Sequence, residues 1–224
     1  STTVAIYPQY AGTRGANYME RDDNPGREAV MQSAIQFMKE KRNIETIGPA
    51  GFENLYAFAM RRDRAAELGI ESIEDLIGTS ETLKCGADLE FFARPEWYRV
   101  RETYNIDFAE KLSFDAALMY TAVNEGQVDL ITAYTTDGRV AAFDLFLLQD
   151  PRNALLPYDG IIVASSEAAA DPGFVAAVEP LVNAIPDVVM REANKIVDVD
   201  GGTVGEAVNY VLEQIPSPRA SANV

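Results

Sequence analysis

The chain has 224 residues, 47% of them hydrophobic, with 19 lysine and arginine residues against 35 aspartate and glutamate residues and a formal net charge of −16. This composition suits one large domain or two small lobes, and the negative charge excludes nucleic acid and anionic membrane surfaces as partners. Histidine is absent and Cys85 is the single cysteine, which excludes Ser-His-Asp and Cys-His catalysis, histidine metal sites, zinc clusters and internal disulfides.

Short apolar runs bounded by Gly, Pro, Asp and Thr predict β-strands. In chain order these strands cover residues 4–10, 44–47, 56–60, 83–87, 128–133, 142–148 and 161–163. Turns are predicted at residues 48–51 and 134–139. The run that contains Cys85 is typical of a buried strand end, where a lone thiol acts as a small core residue.

Apolar side chains at helical spacing predict α-helices between these strands. In chain order they cover residues 27–41, 65–68, 73–77, the second part of 90–104, 114–125, 173–184, 188–195 and 203–215. Ser72 and Asp75 form a capping-box pattern at the start of one helix, Pro95 lies near the start of another, and Gly126 ends a third. The alternation of strands and helices predicts parallel α/β layers.

A binding site is predicted where the strand over residues 128–133 ends. Tyr134, Thr135 and Asp137 follow that strand directly, and Tyr158 lies on the return path of the chain. Ligands of open α/β sheets collect beyond the carboxyl ends of the strands. The same residue types are also typical of an ordinary loop, so the spacing alone leaves both interpretations open.

Four stretches of the chain resemble one known family. They are YPQYAGT at residues 7–13, PAGFENLYA at 49–57, FFARP at 91–95, and AYTTDGRVAAFDLFLLQD at 133–150 followed by LLPYDG at 155–160. In this order they resemble the motifs of the substrate-binding proteins of osmoprotectant ABC transporters. That family takes up glycine betaine, choline, carnitine and related quaternary amines.

The resemblance implies a type II periplasmic binding protein fold, in which a hinge crossed twice joins two α/β lobes. Lobe one would hold residues 1–57 and 161–224, and lobe two residues 58–160. In the family, several tens of residues precede the Tyr-Pro-x-Tyr motif and form the first strand and helix of lobe one. Here the motif begins at Tyr7, so we expect a first lobe that is shortened at its N-terminus.

The resemblance also nominates an aromatic cage made of Tyr10, Tyr56, Tyr134 and Tyr158. A quaternary ammonium carries a diffuse charge and no hydrogen-bond donor, so aromatic faces suit it better than a salt bridge. Judged without the family, each of these residues is a tyrosine near a turn, which is as typical of packing as of binding.

The carboxylate of a betaine would be held by Arg94, in the Phe-x-x-Arg-Pro segment, and by Thr13. Arg94 could instead be a surface charge at a helix start, and Thr13 a turn cap. Further candidates are Asn54, which matches the second Asn of a family pair, and Thr135 and Asp137. Together with Arg139, Asp137 is expected to hold the turn or an interlobe contact rather than the ligand.

The resulting hypothesis is an extracytoplasmic or periplasmic binding protein, free or tethered by a lipid. It would close two lobes around a quaternary amine of the glycine betaine class and deliver the ligand to a membrane permease. We expect a monomer with no cofactor, no metal and no enzymatic activity. Alternatives are the same fold binding choline, carnitine or another amine, a sensory domain that has lost binding, and an enzyme using Asp88, Glu90 and Asp137, for which no acid–base spacing exists.

Overall fold

The computed structural model describes residues 6–10, 26–155 and 158–215, with the backbone alone for residues 9–10 and 26–30. The chain divides into two compact units. Unit 1 comprises Ser1–Asn54, Pro157–Ala193 and Gly202–Val224, and unit 2 comprises Leu55–Leu156 and Asn194–Gly201.

Strands and helices alternate along most of the described chain. The strands are β1 (Ile6–Tyr10), β2 (Ile44–Glu53), β3 (Tyr56–Arg61), β4 (Lys84–Asp88), β5 (Glu110–Phe114), β6 (Leu130–Tyr134), β7 (Leu145–Leu147) and β8 (Asp159–Ser165). The α-helices are α1 (Gly26–Arg42), α2 (Arg62–Leu68), α3 (Pro95–Tyr104), α4 (Ala116–Asn124), α5 (Gly138–Ala142), α6 (Ser166–Ala169), α7 (Pro172–Val178), α8 (Asp187–Asp198) and α9 (Val204–Gln214). Single 3-10 turns cover Ile73–Leu76, Ser80–Thr82, Phe91–Ala93 and Glu179–Leu181.

Unit 1 contains a three-stranded sheet in the order β1-β8-β2, and both strand pairs are antiparallel. The central strand β8 is buried along nearly its whole length. Met38 of α1 packs on Ile161 and Val163 on one face, while Phe52 and Ile162 belong to the apolar cluster on the other. The antiparallel pairing corrects the prediction of parallel layers for this unit. Strand–helix alternation implies parallel crossovers, but β8 pairs with strands from a distant part of the sequence.

The predicted turn at residues 48–51 is wrong, because β2 continues through it to Glu53. Register shifts between Thr46 and Gly48 and between Pro49 and Glu53 let the strand pass its irregular residues while remaining paired with β8. A Cβ at Gly48 would lie 2.7 Å from the Val182 side chain. The Gly-Pro-Ala-Gly sequence therefore forms a bulged part of β2, in which Gly48 allows close contact with Val182, and it does not reverse the chain.

Unit 2 contains a five-stranded mixed sheet in the order β5-β4-β6-β3-β7. β4 runs parallel to β5 and β6, whereas β3 runs antiparallel to β6 and β7. Five of the six residues of β3 are buried, because apolar clusters cover both faces of the sheet. Burial on both faces explains why β3 and β6 are continuous apolar runs in the sequence.

The helix predictions are confirmed where local signals are strong. Ser72 and Asp75 form the predicted capping box, and Pro95 is in the first turn of α3. Two further local features differ from the prediction. β5 has the polar sequence EKLSF at the sheet edge and was missed. The start of the predicted strand at 142–148 belongs to α5, which leaves only β7 as strand.

The units begin and end at slightly different residues from the predicted lobes. Unit 2 begins at Leu55, because β3 starts at Tyr56 and pairs with β6 of that unit, and the lobe bounds at residues 57, 58, 160 and 161 stay a prediction. Residues 194–201 belong to unit 2, since the Asn194 amide donates to the carbonyl of Thr136 at 2.7 Å. No helix in the described ranges has the length and apolar character needed to cross a membrane.

Candidate ligand-binding site

Three polar side chains meet where strands β4 and β6 of the unit 2 sheet end and β3 begins. Asp88 is the last residue of β4 and Tyr134 the last residue of β6, and these strands are parallel. Tyr56 is the first residue of the antiparallel β3 and pairs directly with Tyr134. The carboxyl ends of two strands and the start of a third therefore bring these side chains together, as expected for a ligand-binding edge of an α/β sheet.

Tyr56 and Tyr134 form a close aromatic pair. Their ring centroids are 4.7 Å apart with an interplanar angle of 31°. Tyr56 is 8% exposed, with the Phe91 ring 5.1 Å from its own, whereas Tyr134 is 40% exposed. The pair thus combines one ring that is largely buried with one ring that is more open to solvent and ligands.

Hydrogen bonds fix this pair to the end of β4. The Tyr134 hydroxyl donates to Tyr56 Oη at 2.9 Å, and the Tyr56 hydroxyl donates to Asp88 Oδ2 at 2.8 Å. Burial, followed by these two hydrogen bonds, raises the pKa of Tyr56 far above its usual value. Tyr56 therefore keeps its proton at all ordinary pH values. Its hydroxyl is held by two hydrogen bonds, and its ring packs against Phe91.

Arg94 lies beside the same pair. Its guanidinium carbon is 5.8 Å from the centroid of the Tyr56 ring. Two carboxylates pair with the guanidinium, Glu90 at 3.4 Å and Glu96 at 3.5 Å. Burial, the largest single influence, would lower the pKa of Arg94, but the charge and hydrogen bond of Glu96 together with the neighbouring tyrosines Tyr56 and Tyr134 outweigh burial, and the pKa is raised. Among the described residues these are its only acceptors, so the five N–H donors of the guanidinium are not used up.

Glu96 is the buried partner that orients Arg94. It is 3% exposed, and its Oε1 has no hydrogen-bond partner among the residues that the structure describes. A buried carboxylate is costly unless a charge faces it. Arg94 therefore stabilises Glu96, and Glu96 in turn limits the directions that the guanidinium can take.

The turn after β6 holds Tyr134 in position. Leu55 N donates to Thr135 Oγ1 at 3.2 Å, and Thr135 N donates to the Leu55 carbonyl at 3.0 Å. Asp137 caps α5, because its Oδ1 accepts from Arg139 N at 2.9 Å.

Asp137 and Arg139 also pair through their side chains, with Arg139 Nη2 donating to Asp137 Oδ2 at 2.7 Å. Burial would raise the pKa of Asp137, but the hydrogen bonds and charge of Arg139 outweigh burial and hold this pKa below its usual value. The Arg139 guanidinium lies 4.5 Å from the centroid of the Tyr120 ring. These contacts agree with the expected structural role of the pair, and ligand contact by Thr135 and Asp137 stays a prediction.

The remaining predicted site residues belong to unit 1. Tyr158 is half-buried, and its carbonyl accepts a hydrogen bond from Asn54 N at 3.0 Å. Tyr10 is the last residue of β1 and pairs with Gly160, but only its backbone is described. Thr13 lies outside the described residues. Ligand contacts by these four residues stay predictions.

Sequence reasoning missed Asp88 and Phe91 as neighbours of Tyr56 and Tyr134 in this candidate site. From the sequence, Asp88 is a candidate only in the alternative of an enzyme. The sequence contains a signal for this role. An aspartate at the end of a strand can accept hydrogen bonds from the backbone N–H groups two and three residues further on, which is an Asx turn. Asp88 Oδ1 accepts from Glu90 N and Phe91 N at 2.9 and 3.0 Å.

A separate pocket lies at the opposite end of β3, where the strand finishes at Arg61. Arg64 in its wall pairs with Asp129 and Glu67 at 3.1 and 2.8 Å, so its charge is balanced within the protein. The pocket lining comprises Arg61, Arg64, Glu67, Val123, Gly126, Val128 and Asp129. The described part of the chain contains no cluster of His, Cys, Asp and Glu residues able to hold a metal ion.

The model of one protein family matches residues 3–214 of this chain. It is described as the substrate-binding domain of the ABC-type glycine betaine transport system. The chain belongs to this family. The family consists of extracytoplasmic solute-binding domains and not of enzymes, and its members bind small ligands and work with a permease.

Several curated relatives are similar over much of the chain. The ergothioneine transport permease/ergothioneine binding protein EgtU of Helicobacter pylori is 27% identical over 87% of this chain and 35% of its own length. The carnitine transport binding protein OpuCC of Listeria monocytogenes is 28% identical over 71% of this chain and 52% of its own. A glycine-betaine-binding protein of Pseudomonas aeruginosa is 29% identical over 91% and 69%. The chain thus spans about a third of EgtU and about half of OpuCC.

Solved structures confirm the predicted type II periplasmic binding protein fold. The crystal structure of a glycine betaine/carnitine/choline ABC transporter protein has a TM-score of 0.85 and 26% identity, covering 94% of this chain and 78% of that one. Apo YehZ from Escherichia coli has a TM-score of 0.80 over 94% of this chain and 80% of its own, and at 22% identity it supports the fold alone. The predicted family membership is confirmed as well.

Proposed function

We propose that this chain binds a small betaine, a ligand with a quaternary ammonium group and a carboxylate, and presents it to a membrane permease. The observation that carries the proposal is the pairing of Tyr56 and Tyr134 beside Arg94, with 4.7 Å between the two ring centroids and 5.8 Å from the guanidinium to the Tyr56 ring. Aromatic faces suit the ammonium, and a guanidinium suits the carboxylate.

The energetics indicate how much this cluster contributes. Each cation–π contact contributes about 0.5–2 kcal/mol, and each hydrogen bond to a charged group about 1.5–3 kcal/mol. Micromolar binding requires about 8 kcal/mol in total. Two rings and Arg94 supply a large but incomplete share. Tyr10, Thr13 and Tyr158, which resemble ligand-binding positions of the family, are proposed to supply the remainder.

The ligands named for the relatives support a betaine rather than a simple amine. Ergothioneine, carnitine and glycine betaine each combine a trimethylammonium group with a carboxylate. Choline is the second candidate, since one structural relative is described as a glycine betaine/carnitine/choline transporter. Choline lacks a carboxylate, so Arg94 has no ligand group to bind in that case.

The proposed partner is the permease of an ABC importer, and the proposed state is a monomer outside the cytoplasm. The net charge of −16 disfavours binding to nucleic acid. Light scattering over a hundredfold range of concentration tests the monomer. A mass that stays at 24.5 kDa supports it, and a mass that doubles with concentration contradicts it.

The experiment that tests the ligand is a thermal-shift panel with glycine betaine, carnitine, ergothioneine, proline betaine and choline, followed by calorimetry on each hit. A ligand at a hundred times its Kd adds about 2.7 kcal/mol to the free energy of unfolding, which is readily seen. Stabilisation by one or more betaines supports the proposal. Stabilisation by choline alone favours the second candidate, and no stabilisation by any of the five contradicts both.

A further inference from the structure

The hydroxyl groups of Tyr134 and Tyr56 and the carboxylate of Asp88 form a hydrogen-bond relay with one direction. A carboxylate can only accept, and each tyrosine has one hydroxyl proton. The Tyr56 proton must therefore go to Asp88 Oδ2 at 2.8 Å, and the Tyr134 proton must go to Tyr56 Oη at 2.9 Å. Both protons point inward, away from the exposed side of Tyr134.

Asp88 cannot easily turn away from this relay. Its second oxygen, Oδ1, accepts from the backbone N–H groups of Glu90 and Phe91. Asp88 also ends β4, which pairs on both sides with β5 and β6. The sheet and the backbone turn hold the carboxylate in one orientation. The carboxylate therefore determines the direction in which the two tyrosine hydroxyls donate.

The exposed end of the relay is consequently an acceptor only. Tyr134 is 40% exposed, and its hydroxyl proton is already used by Tyr56. Toward a ligand it presents a ring face and oxygen lone pairs, both of which are electron-rich. The negative charge of Asp88 lies at the inner end of the relay. A cation on the exposed side of the two rings is attracted by this charge, and an anion there is repelled.

We propose that Asp88 is a specificity-determining positioning residue, which acts through Tyr56 and Tyr134 to select a cationic group at this end of the ligand. The inference rests on the proposed betaine function and deepens it. A ligand carboxylate finds no donor at Tyr134, while Arg94 nearby retains N–H donors that no residue of the described ranges uses. The ammonium is therefore directed to the tyrosine pair and the carboxylate to Arg94.

The test compares two ligands of nearly equal shape. Glycine betaine carries a trimethylammonium group, and 3,3-dimethylbutanoate carries a neutral tert-butyl group in its place. The ratio of their Kd values measures selection for charge, because a general loosening of the site weakens both ligands together. The ratio is measured by calorimetry for the wild type, Asp88→Asn and the control Asp75→Asn.

Asparagine at position 88 can keep the backbone contacts through its oxygen while its NH2 group donates to Tyr56 Oη. The relay then reverses, and the Tyr134 proton is free to point outward. Asp75→Asn removes another unit 2 carboxylate that caps backbone N–H groups, those of Glu71 and Ser72. We expect the selectivity for glycine betaine to fall about tenfold in Asp88→Asn and to stay unchanged in Asp75→Asn.

Each result decides between the claims. An unchanged ratio in Asp88→Asn, or equal weakening of both ligands, overturns the role of Asp88 and leaves the betaine function standing. If no betaine of the thermal-shift panel binds the wild type, the proposed function fails and this inference fails with it. If Asp88→Asn does not melt cooperatively, Tyr56→Phe decides instead, because it keeps the ring and cuts the relay. A fall in the ratio of about threefold supports the inference there, and an unchanged ratio overturns it.

Discussion

Tyr56 and Tyr134 are direct cross-strand neighbours, although 78 residues separate them in the sequence. Their rings lie 4.7 Å apart and their hydroxyls are hydrogen-bonded. The contact exists only in one register of β3 and β6, because a shift by one residue would send one of the rings to the other face of the sheet. The same pairing that builds the core of unit 2 therefore also builds the aromatic pair.

We expect Tyr134→Ala to weaken glycine betaine binding about tenfold, because it removes one cation–π contact of about 0.5–2 kcal/mol. Tyr134→Phe keeps the ring and should retain most of the affinity. Calorimetry measures both. Tyr98→Ala is the matched control, since Tyr98 is 49% exposed on α3 and has no predicted ligand role. Equal affinities for Tyr134→Ala and the wild type would contradict the role of this ring.

We expect Arg94→Ala to weaken glycine betaine binding about tenfold to a hundredfold, the cost of a charge-assisted hydrogen bond of about 1.5–3 kcal/mol. Any binding of choline should be unaffected, because choline has no carboxylate. The choline affinity thus reports whether the site has kept its shape. Arg101→Ala in α3, the helix that begins directly after Arg94, is the control. Loss of choline and betaine affinity in equal measure would show that Arg94 is only structural.

Much of unit 2 could be predicted because its signals are local. β3 and β6 are continuous apolar runs, and the capping box at Ser72 is contained in four residues. β5 could not be found, because its exposed edge position permits a polar sequence. The turn predicted over residues 48–51 failed for a different reason, since the bulges of β2 depend on β8, more than a hundred residues away.

The site shows the same division. Tyr56, Arg94 and Tyr134 were predicted from motifs, and the structure brings these three together in unit 2. Asp88 was not predicted as a site residue, because its role depends on β4 lying beside β6. No spacing along the chain shows that neighbourhood. Family motifs name residues that touch a ligand more readily than residues that hold those residues in place.

We expect Gly138→Ala to lower the free energy of unfolding by about 1–3 kcal/mol, the usual cost of overpacking. A Cβ at Gly138 would lie 2.5 Å from Cα of Lys195, a backbone atom that cannot move aside easily. The control is Gly205→Ala near the start of α9, where the nearest atom is 3.8 Å away. That substitution should stabilise the protein by about 0.5–1 kcal/mol. Urea denaturation measures both, and similar midpoints for the two variants would contradict the close approach.

We expect Asp137 to contribute to unfolding at acid pH. Its pKa in the folded protein lies below the usual value of 3.8. As the pH falls through about 4, Asp137 in the unfolded state takes up a proton before Asp137 in the folded state does. The stabilisation present at higher pH therefore decreases, and it is lost once the pH has fallen below the folded-state pKa. Asp137→Asn should reduce stability at pH 7 by about 1–3 kcal/mol, by leaving Arg139 without its partner.

The same substitution should also flatten the loss of stability below pH 4. Urea denaturation from pH 3 to pH 7 measures both effects. Asp144→Asn is the control, because Asp144 pairs with Arg62 on the surface and is 76% exposed. An acid slope that is equal in Asp137→Asn and in the wild type would contradict the assignment to Asp137.

The central claim is that the rings of Tyr56 and Tyr134 contact the ammonium of a betaine. The most direct measurement is the nuclear Overhauser effect between the methyl protons of bound glycine betaine and the ring protons of selectively labelled tyrosines. Tyr134→Phe and Tyr56→Phe assign the signals, because each removes one labelled ring. We predict cross-peaks from the methyl protons to both rings. Glycine betaine that binds without a cross-peak to either ring would contradict the account.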